Sequence, residues 1–261
     1  KNSKTGEYLP FTGNMSGLLI AEYILSQKKE KGILPENAVL IKTIVSSNLA
    51  EAIAKEYGIH VIEVLTGFKY IGEQIKLLEQ THEYTYQFGY EESYGCLIGT
   101  YARDKDAISA VAMLCEAAAY YKAQGLTLWD QMLRIYEKYG YYKEGLFSIT
   151  LKGADGAEKI KQMMENLRNS KIEKIGENAV IAKKDYQTQE GICYKTGEKI
   201  EITLPKSNVL YYDLQEDGWV AVRPSGTEPK IKFYTGVKGT SMEDAEEKLT
   251  ALTKAIQEMV Q

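Results

Sequence analysis

The chain has 261 residues, of which 44% are hydrophobic and 26% charged, and this composition is typical of globular proteins and excludes a disordered chain. Its 32 Lys and Arg residues against 36 Asp and Glu residues give a net charge of −4, which argues against a nucleic-acid partner held by phosphate neutralisation. No stretch reaches the ~18 unbroken apolar residues of a membrane span, so we expect no membrane partner either.

Few residues are available for disulfide or zinc chemistry. Cys96, Cys115 and Cys193 are far apart and odd in number, which predicts reduced thiols in a cytoplasmic protein. His60 and His82 lack the spacing of a zinc site. We therefore expect no metal ligands in this chain.

The first half of the sequence alternates between the periodicities of helices and strands. Hydrophobic residues recur at helical spacing over residues 14–29 and in four later segments between and after the predicted strands. Thr127 and Asp130 form a capping box for the last of these helices. Strands separated by helices imply right-handed crossovers, so we expect a three-layer α/β/α domain with a mostly parallel sheet over residues 1–142. The predicted strands are residues 38–45, 60–65 and 84–88.

A long apolar helix is predicted to begin at Asp104. The charged run RDKD at residues 103–106 is typical of a helix cap and a charged surface, because it lacks the DxDxD spacing of a metal site. Four side chains share one face of the predicted helix, namely Ile108, Val111, Cys115 and Ala118.

The pattern changes near residue 141. Apolar and polar residues alternate over residues 147–152, as in a half-exposed strand, and hairpin turns are predicted at residues 196–197 and 217–218. Two helices accompany these strands, the second of them capped by Ser241 and Asp244. We therefore expect an α+β domain with an antiparallel sheet and two helices over residues 143–261.

The segment RPSGTEP at residues 223–229 has the composition of a phosphate cradle. Arg223 offers a planar fork of donors, Ser225 and Thr227 offer hydroxyl groups, and Gly226 lets the backbone N–H approach an anion. A tight strand connection whose polar groups bond its own backbone would have the same composition. The residues alone leave both interpretations open.

A second candidate is the segment GYEESYG at residues 89–95, directly after a predicted strand. Ligands of open α/β sheets bind at the carboxyl ends of strands, and a carboxylate beside a hydroxyl suits the vicinal hydroxyls of a sugar. Glu91 and Ser93 are the candidate groups. The alternative is that these glutamates are merely solvated on an exposed turn.

Two lysines stand at the ends of predicted strands. Lys42 interrupts an otherwise apolar strand, and Lys69 follows the next one. A lysine at such a position can neutralise phosphate, or exchange protons if its surroundings lower its pKa. The alternative is a cation that snorkels to the surface at a helix start or strand end.

Together these segments resemble the α-D-phosphohexomutase family, in particular bacterial phosphoglucomutases and phosphomannomutases. The resemblance spans nearly the whole chain. Family members have four domains, and the resemblance implies that this chain is a C-terminal fragment with the third and fourth, the fourth similar in fold to the TATA-box-binding protein. The matching segments are LPFTGN at residues 9–14, TGFK at 66–69, GYEESYG at 89–95, DKD at 104–106 and RPSGTEP at 223–229.

The resemblance implies an enzyme that interconverts hexose 1-phosphate and hexose 6-phosphate through a bisphosphate intermediate. In the family a phosphoserine donates the phosphoryl group and an Asp-rich loop holds Mg²⁺, both on earlier domains. Neither a Ser-His-Asn-Pro stretch nor a DxDxDR stretch occurs in this sequence. We therefore expect the missing N-terminal domains as partners, Mg²⁺ bound by them, glucose 1,6-bisphosphate as activator of the whole enzyme, and an inactive chain in isolation.

By position, the resemblance assigns the ring hydroxyls of the sugar to Glu91 and Ser93. Lys69, or Lys42, would act as acid/base or charge stabiliser. The Glu-Glu-Ser form of the loop resembles hexose mutases more than phosphoglucosamine mutases, although a phosphoglucosamine mutase and a non-catalytic phosphosugar-binding module remain alternatives. The resemblance assigns the non-transferred phosphate to Arg223, Ser225, Gly226 and Thr227.

Overall fold

A computed structural model describes residues 1–151, 153, 155–226 and 228–260 of the chain. The chain divides into two compact units, Lys1–Gly140 and Tyr141–Gln261. The predicted boundary after residue 142 lies two residues beyond this division, because the first strand of the second unit already begins at Tyr141.

The first unit, all of whose residues are described, has five helices and four strands, which alternate as far as β3, and its α/β class is confirmed. The capping box of Thr127 and Asp130 is also confirmed. The elements are α1 (Gly13–Glu30), β1 (Ala38–Thr43), α2 (Leu49–Tyr57), β2 (His60–Val64), α3 (Phe68–Thr81), β3 (Thr85–Tyr90), β4 (Cys96–Ile98), α4 (Ala107–Ala123) and α5 (Leu128–Tyr139).

The sheet of this unit has the strand order β2-β1-β3-β4. β1 pairs in parallel with β2 and β3, and β4 returns antiparallel to β3. On one face Val39 and Ile41 pack against Ile71 and Ile75 of α3. On the other face α1 packs against β3 and α2. The predicted three layers and mostly parallel sheet are therefore confirmed, whereas the short strand β4 was not predicted.

Helix α4 begins later than predicted, and the face that it buries is not the predicted one. It is capped by Asp106, whose carboxylate accepts the N–H groups of Ile108 and Ser109, and not by Asp104. The side chains of Ile108 and Val111 are 83% and 60% exposed. The residues that α4 buries are Ala117 and Tyr121.

The second unit combines two helices with an antiparallel sheet, as predicted. Its last helix is capped by Ser241, whose hydroxyl accepts the N–H of Asp244. The elements are β5 (Tyr141–Thr150), α6 (Gly156–Asn169), β6 (Lys174–Ile175), β7 (Asn178–Asp185), β8 (Glu190–Cys193), β9 (Lys199–Glu201), β10 (Leu210–Leu214), β11 (Trp219–Pro224), β12 (Lys230–Gly239) and α7 (Met242–Met259).

The strand order of this sheet is β5-β12-β11-β10-β7-β8-β9, and β6 pairs with β7. Helices α6 and α7 share one hydrophobic core with the sheet, in which Met164 and Ile256 pack among Val222, Ile231 and Phe233. Alternate residues of β11 and β12 therefore point away from this core. Across the residues that the structure describes, every helix is too short or too polar to cross a membrane.

Candidate functional site

Three loops meet at the carboxyl edge of the parallel strands in the first unit. The Thr43 hydroxyl, at the end of β1, donates a hydrogen bond to Glu92 at 3.2 Å. The backbone N–H of Ser47 donates to the Asn14 side chain of α1, also at 3.2 Å. A Cβ on Gly13 would lie 2.0 Å from the Glu92 carbonyl oxygen, so a side chain there would push the loop away. This edge is where open α/β sheets bind ligands.

Residues 91–95, here called the sugar loop, connect β3 to β4. The Glu91 N–H donates to the Gly95 carbonyl at 2.8 Å and closes the loop. Tyr94 adopts a left-handed backbone (φ 71°), and its hydroxyl donates to the Phe11 carbonyl at 3.0 Å. The Ser93 side chain is exposed and open to a ligand.

The carboxylate of the sugar loop is buried and positioned by its neighbours. Glu91 is 7% exposed, and its Oε1 lies 3.7 Å from the Lys105 ammonium. That ammonium also lies 5.7 Å from the ring centroid of Phe68, the first residue of α3. A Cβ on Gly95 would come within 2.5 Å of Glu91 Oε1. Glu91 thus has a defined orientation in which its free lone pairs can accept hydroxyl hydrogen bonds.

Lys69 lies on the same edge, in the first turn of α3. Its side chain is exposed, and its ammonium lies 4.8 Å from the ring centroid of Tyr70. The preceding residue, Phe68, is buried and contacts Lys105. The structure therefore brings Lys69, Lys105 and Glu91 to one edge, with Lys69 free to reach a ligand.

Lys42 is in a different environment, because its side chain has no exposed surface. Its ammonium lies 2.7 Å from Glu63 and 3.2 Å from Glu51, and it donates to Asn48 at 3.3 Å. Burial acts to lower the pKa of Lys42, but the two carboxylates outweigh it and hold the pKa above its ordinary value. The structure places Lys42 in a buried ion pair, while its neighbour Thr43 reaches the sugar loop.

The loop between β11 and β12, here called the phosphate loop, spans residues 223–229. Its base is closed by the Ser225 N–H, which donates to the Lys230 carbonyl at 2.7 Å. Arg223 is half-buried, Gly226 is exposed, and a Cβ on Gly226 would meet no heavy atom of the described residues within 4 Å. Packing against the described residues therefore does not require a glycine there. The predicted site residue Thr227 lies outside the described residues.

A cavity of about 610 Å³ lies on the helix side of the phosphate loop. Ser225 and Gly226 line it together with residues of α6, among them Lys161 and Arg168. Arg168 is already bonded to Asp185 at 2.8 Å. Arg223 does not line this cavity, because the adjacent Val222 points into the core and Arg223 therefore points to the opposite face of the sheet.

Cys96, the first residue of β4, lies directly behind the sugar loop. It is 5% exposed, and burial, together with the nearby Asp106, raises the pKa of its thiol to about 11. Cys193 differs, because the Thr196 hydroxyl lowers the pKa of its thiol. All three cysteines of the chain are free. Among the described residues no three His, Cys, Asp or Glu side chains form a potential metal site.

The position of Lys105 beside Glu91 is not apparent from the sequence. It belongs to the RDKD run, which was interpreted as a helix cap with a charged surface, and that interpretation holds for Asp106. The contact of Lys105 with Glu91 joins residues 14 positions apart in the sequence, and no local pattern predicts it. The sequence indicates a role for Lys105 only through the DKD segment at residues 104–106, which resembles the phosphohexomutases.

Solved structures of similar fold are phosphohexomutases. A phosphoglucomutase of Paramecium, the exocytosis-sensitive phosphoprotein parafusin in its open form, matches with a TM-score of 0.61 at 17% identity, over 95% of this chain and 40% of that one. A phosphoglucomutase/phosphomannomutase family protein of Burkholderia thailandensis matches with a TM-score of 0.54 at 15% identity, over 94% and 41% of the two chains. These likenesses define the fold class.

Sequence comparison then gives the family. Residues 12–139 match the phosphoglucomutase/phosphomannomutase alpha/beta/alpha domain III, and residues 167–251 match the C-terminal domain of the same family. The chain is 36% identical over 247 residues to a phosphoglucomutase of Staphylococcus aureus strain MSSA476, which covers 95% of this chain and 44% of that protein. The chain belongs to the phosphoglucomutase/phosphomannomutase family and spans less than half the length of the curated relatives it matches.

Proposed function

We propose that this chain is the C-terminal half of a mutase that interconverts hexose 1-phosphate and hexose 6-phosphate, with glucose, mannose or both as the hexose, through a bisphosphate intermediate. The observation that carries this proposal is the nearly buried Glu91 carboxylate at the carboxyl edge of the parallel strands. It lies 3.7 Å from the Lys105 ammonium and beside the exposed Ser93 hydroxyl. An ordered carboxylate next to a hydroxyl suits the recognition of sugar hydroxyls.

The two loops have separate roles in this proposal. Glu91 and Ser93 bind ring hydroxyls of the hexose. The phosphate loop binds the phosphate that is not transferred, with a bidentate contact from Arg223 and backbone contacts at Ser225 and Gly226. Thr227 would add a hydroxyl donor to this loop.

Lys69 is our choice for the lysine that faces the reacting hydroxyl. Its exposed ammonium, on the same edge as Glu91, can stabilise the charge that develops during phosphoryl transfer or exchange a proton. Lys42 is fully buried and bonded to two carboxylates, so we assign it to the stability of the first unit. Positioning and charge stabilisation provide most of the catalysis in phosphoryl transfer, which suits binding groups of this kind.

The remaining catalytic parts belong, in this proposal, to the domains that precede these two in the relatives. Those domains would supply the phosphoserine and the ligands of Mg²⁺, and glucose 1,6-bisphosphate would activate the whole enzyme. This division follows the resemblance to the family and the match to its third and C-terminal domains.

Binding measurements with two probes test the roles of the loops. Titration calorimetry of the chain with glucose 6-phosphate and with inorganic phosphate is compared for wild type, Glu91→Gln and Arg223→Ala. We expect Arg223→Ala to weaken both ligands by ~1.5–3 kcal/mol, the scale of a charged hydrogen-bonding partner. Glu91→Gln should weaken glucose 6-phosphate only. Equal losses for both ligands in Glu91→Gln would argue against a sugar contact, and an unchanged Arg223→Ala would mean that the phosphate loop is structural.

A further inference from the structure

Helix α4 exposes an apolar face, unlike its neighbours in the first unit. Every exposed side chain of α2 and of α5 is charged. Over residues 107–119 of α4, by contrast, every exposed residue except Glu116 is apolar. These exposed apolar residues, here called the α4 face, are Ala107, Ile108, Val111, Ala112, Cys115 and Ala119.

No charged side chain of α4 shields this face from water. The Glu116 carboxylate accepts a hydrogen bond from the Tyr23 hydroxyl of α1 at 3.0 Å and is therefore held toward α1. Ile108 and Val111 are 83% and 60% exposed. A helix that is apolar on all sides is ordinarily buried on all sides, and a contiguous exposed apolar patch marks an interaction site. The α4 face therefore has the character of a surface that another element covers.

A groove continues the α4 face toward the sugar loop. Its volume is about 190 Å³, and it is lined by residues of α1 and α4, among them Ile20 and Val111, and by Tyr94 of the sugar loop. The Tyr94 hydroxyl donates to the Phe11 carbonyl at 3.0 Å. The segment that leads into α1 thus reaches the rim of the groove, and its Tyr8 side chain is 81% exposed. A domain attached through this segment would enter the fold beside the groove.

We infer that the α4 face and this groove are the docking surface for the domain that directly precedes residues 1–261 in the full-length protein. The inference rests on the proposed function, which takes the chain as the C-terminal half of a longer mutase. The match to the Staphylococcus aureus phosphoglucomutase covers 44% of that protein. The matched parts are domain III and the C-terminal domain, so the other domains of the family come before them.

The small area of the α4 face favours a covalently attached partner over a second copy of the chain. Four of its six residues are alanine or cysteine, with little surface each. A stable interface between separate proteins buries ~800 Å² on each partner. A domain on the same polypeptide needs less contact, because the linkage supplies a high effective concentration.

Cys115 lies in the α4 face and serves as a reporter of its coverage. The rate at which N-ethylmaleimide labels Cys115 is compared between the isolated chain and the full-length protein by mass spectrometry. We expect labelling in the full-length protein to be slower by about tenfold or more, because it then requires the interface to open. The half-buried Cys193 of the second unit should be labelled at similar rates in both proteins.

A charge placed in the α4 face should undo this protection. Ile108→Asp should return the labelling of Cys115 in the full-length protein to the rate of the isolated chain, because docking would bury the new carboxylate. The matched control is Ile33→Asp, since Ile33 is 60% exposed and lies outside α4, and it should keep the protection. An unchanged melting temperature of the isolated chain with Ile108→Asp shows that this variant folds.

Equal labelling of Cys115 in the two wild-type proteins would overturn the inference. A dimer of the isolated chain that Ile108→Asp dissociates, measured by light scattering, would assign the face to a second copy and would overturn it as well. A full-length protein with mutase activity but an unprotected Cys115 refutes only the docking surface. A protected Cys115 without mutase activity refutes only the proposed function.

Discussion

Gly95 of the sugar loop and Gly226 of the phosphate loop have different surroundings, which give them different roles. A Cβ on Gly95 would lie 2.5 Å from the Glu91 carboxylate and 2.8 Å from Cδ of Lys105. A Cβ on Gly226 would meet no heavy atom of the described chain within 4 Å. Gly95 therefore makes room for protein atoms, whereas no described protein atom requires a glycine at position 226.

Alanine at each position separates these roles. Gly95→Ala should change the free energy of unfolding little, because the added Cβ would meet only the far ends of the Glu91 and Lys105 side chains, but it should weaken glucose 6-phosphate because the Glu91 carboxylate moves. Gly226→Ala should leave the unfolding free energy unchanged and weaken inorganic phosphate by ~1 kcal/mol, the scale of one hydrogen bond. Urea unfolding and calorimetry measure the two quantities. A destabilised Gly226→Ala with normal phosphate affinity would contradict this assignment.

Lys42 shows that the sequence can identify an unusual buried charge but not the residues that neutralise it. The sequence singled it out correctly as unusual, because a charged side chain in an apolar strand needs a partner. Its partners, Glu51 and Glu63, lie on α2 and β2. The parallel pairing of β1 with β2 sets Glu63 beside Lys42, and the position of α2 brings Glu51 to it. Which carboxylates pair with a buried lysine depends on the tertiary structure, so a local sequence pattern does not predict them.

At the scale of elements, α4 presents much of its apolar surface to the solvent. Its one charged residue among the first fifteen is Glu116, yet Ile108 is 83% exposed. Periodicity locates an apolar stripe on a helix but does not say whether another element covers it. That is why the shared face of Ile108, Val111, Cys115 and Ala118 did not coincide with the buried side.

The exposure of α4 makes a direct prediction about stability. Ile108→Ala should change the free energy of unfolding by less than ~0.5 kcal/mol, because little surface is buried there. The same change at Ile71 of α3, which has no exposed surface, should cost ~2–5 kcal/mol. Urea denaturation of the two variants against wild type measures both values. A large loss in Ile108→Ala would show that the α4 surface is covered in solution.

The sugar loop depends on an element that the sequence did not reveal. β3 continues to Tyr90, two residues beyond its predicted end, and the chain then returns as β4 of three residues. A strand so short has too few residues for an alternating pattern to be recognised. Its antiparallel pairing with β3 turns the Glu91 segment into a closed hairpin loop.

At the scale of the whole molecule, the order and type of the long elements could be predicted because each carries its own periodicity and caps. The mostly parallel sheet of the first unit and the antiparallel sheet with two helices of the second follow from that order. The grouping of the site residues could not be predicted in the same way. It depends on Lys105 reaching Glu91, which is a contact between separate parts of the chain.

We predict that the chain has no mutase activity in isolation, because the proposed phosphoserine and magnesium ligands would lie on other domains. A coupled assay with the purified chain, glucose 1-phosphate, Mg²⁺ and glucose 1,6-bisphosphate should show no turnover above the rate without protein. A parallel binding titration with glucose 6-phosphate confirms that the sample is folded and competent. Turnover that disappears in Glu91→Gln would show that this chain carries out the chemistry alone.

The burial of Cys96 has a consequence for the behaviour of the protein under oxidative stress. Only a thiolate reacts readily with peroxides, and a thiol with a pKa of about 11 stays protonated at neutral pH. Oxidants should therefore react with the exposed Cys115 and the half-buried Cys193 before they react with Cys96. The thiol behind the sugar loop is therefore expected to stay reduced while the other two react.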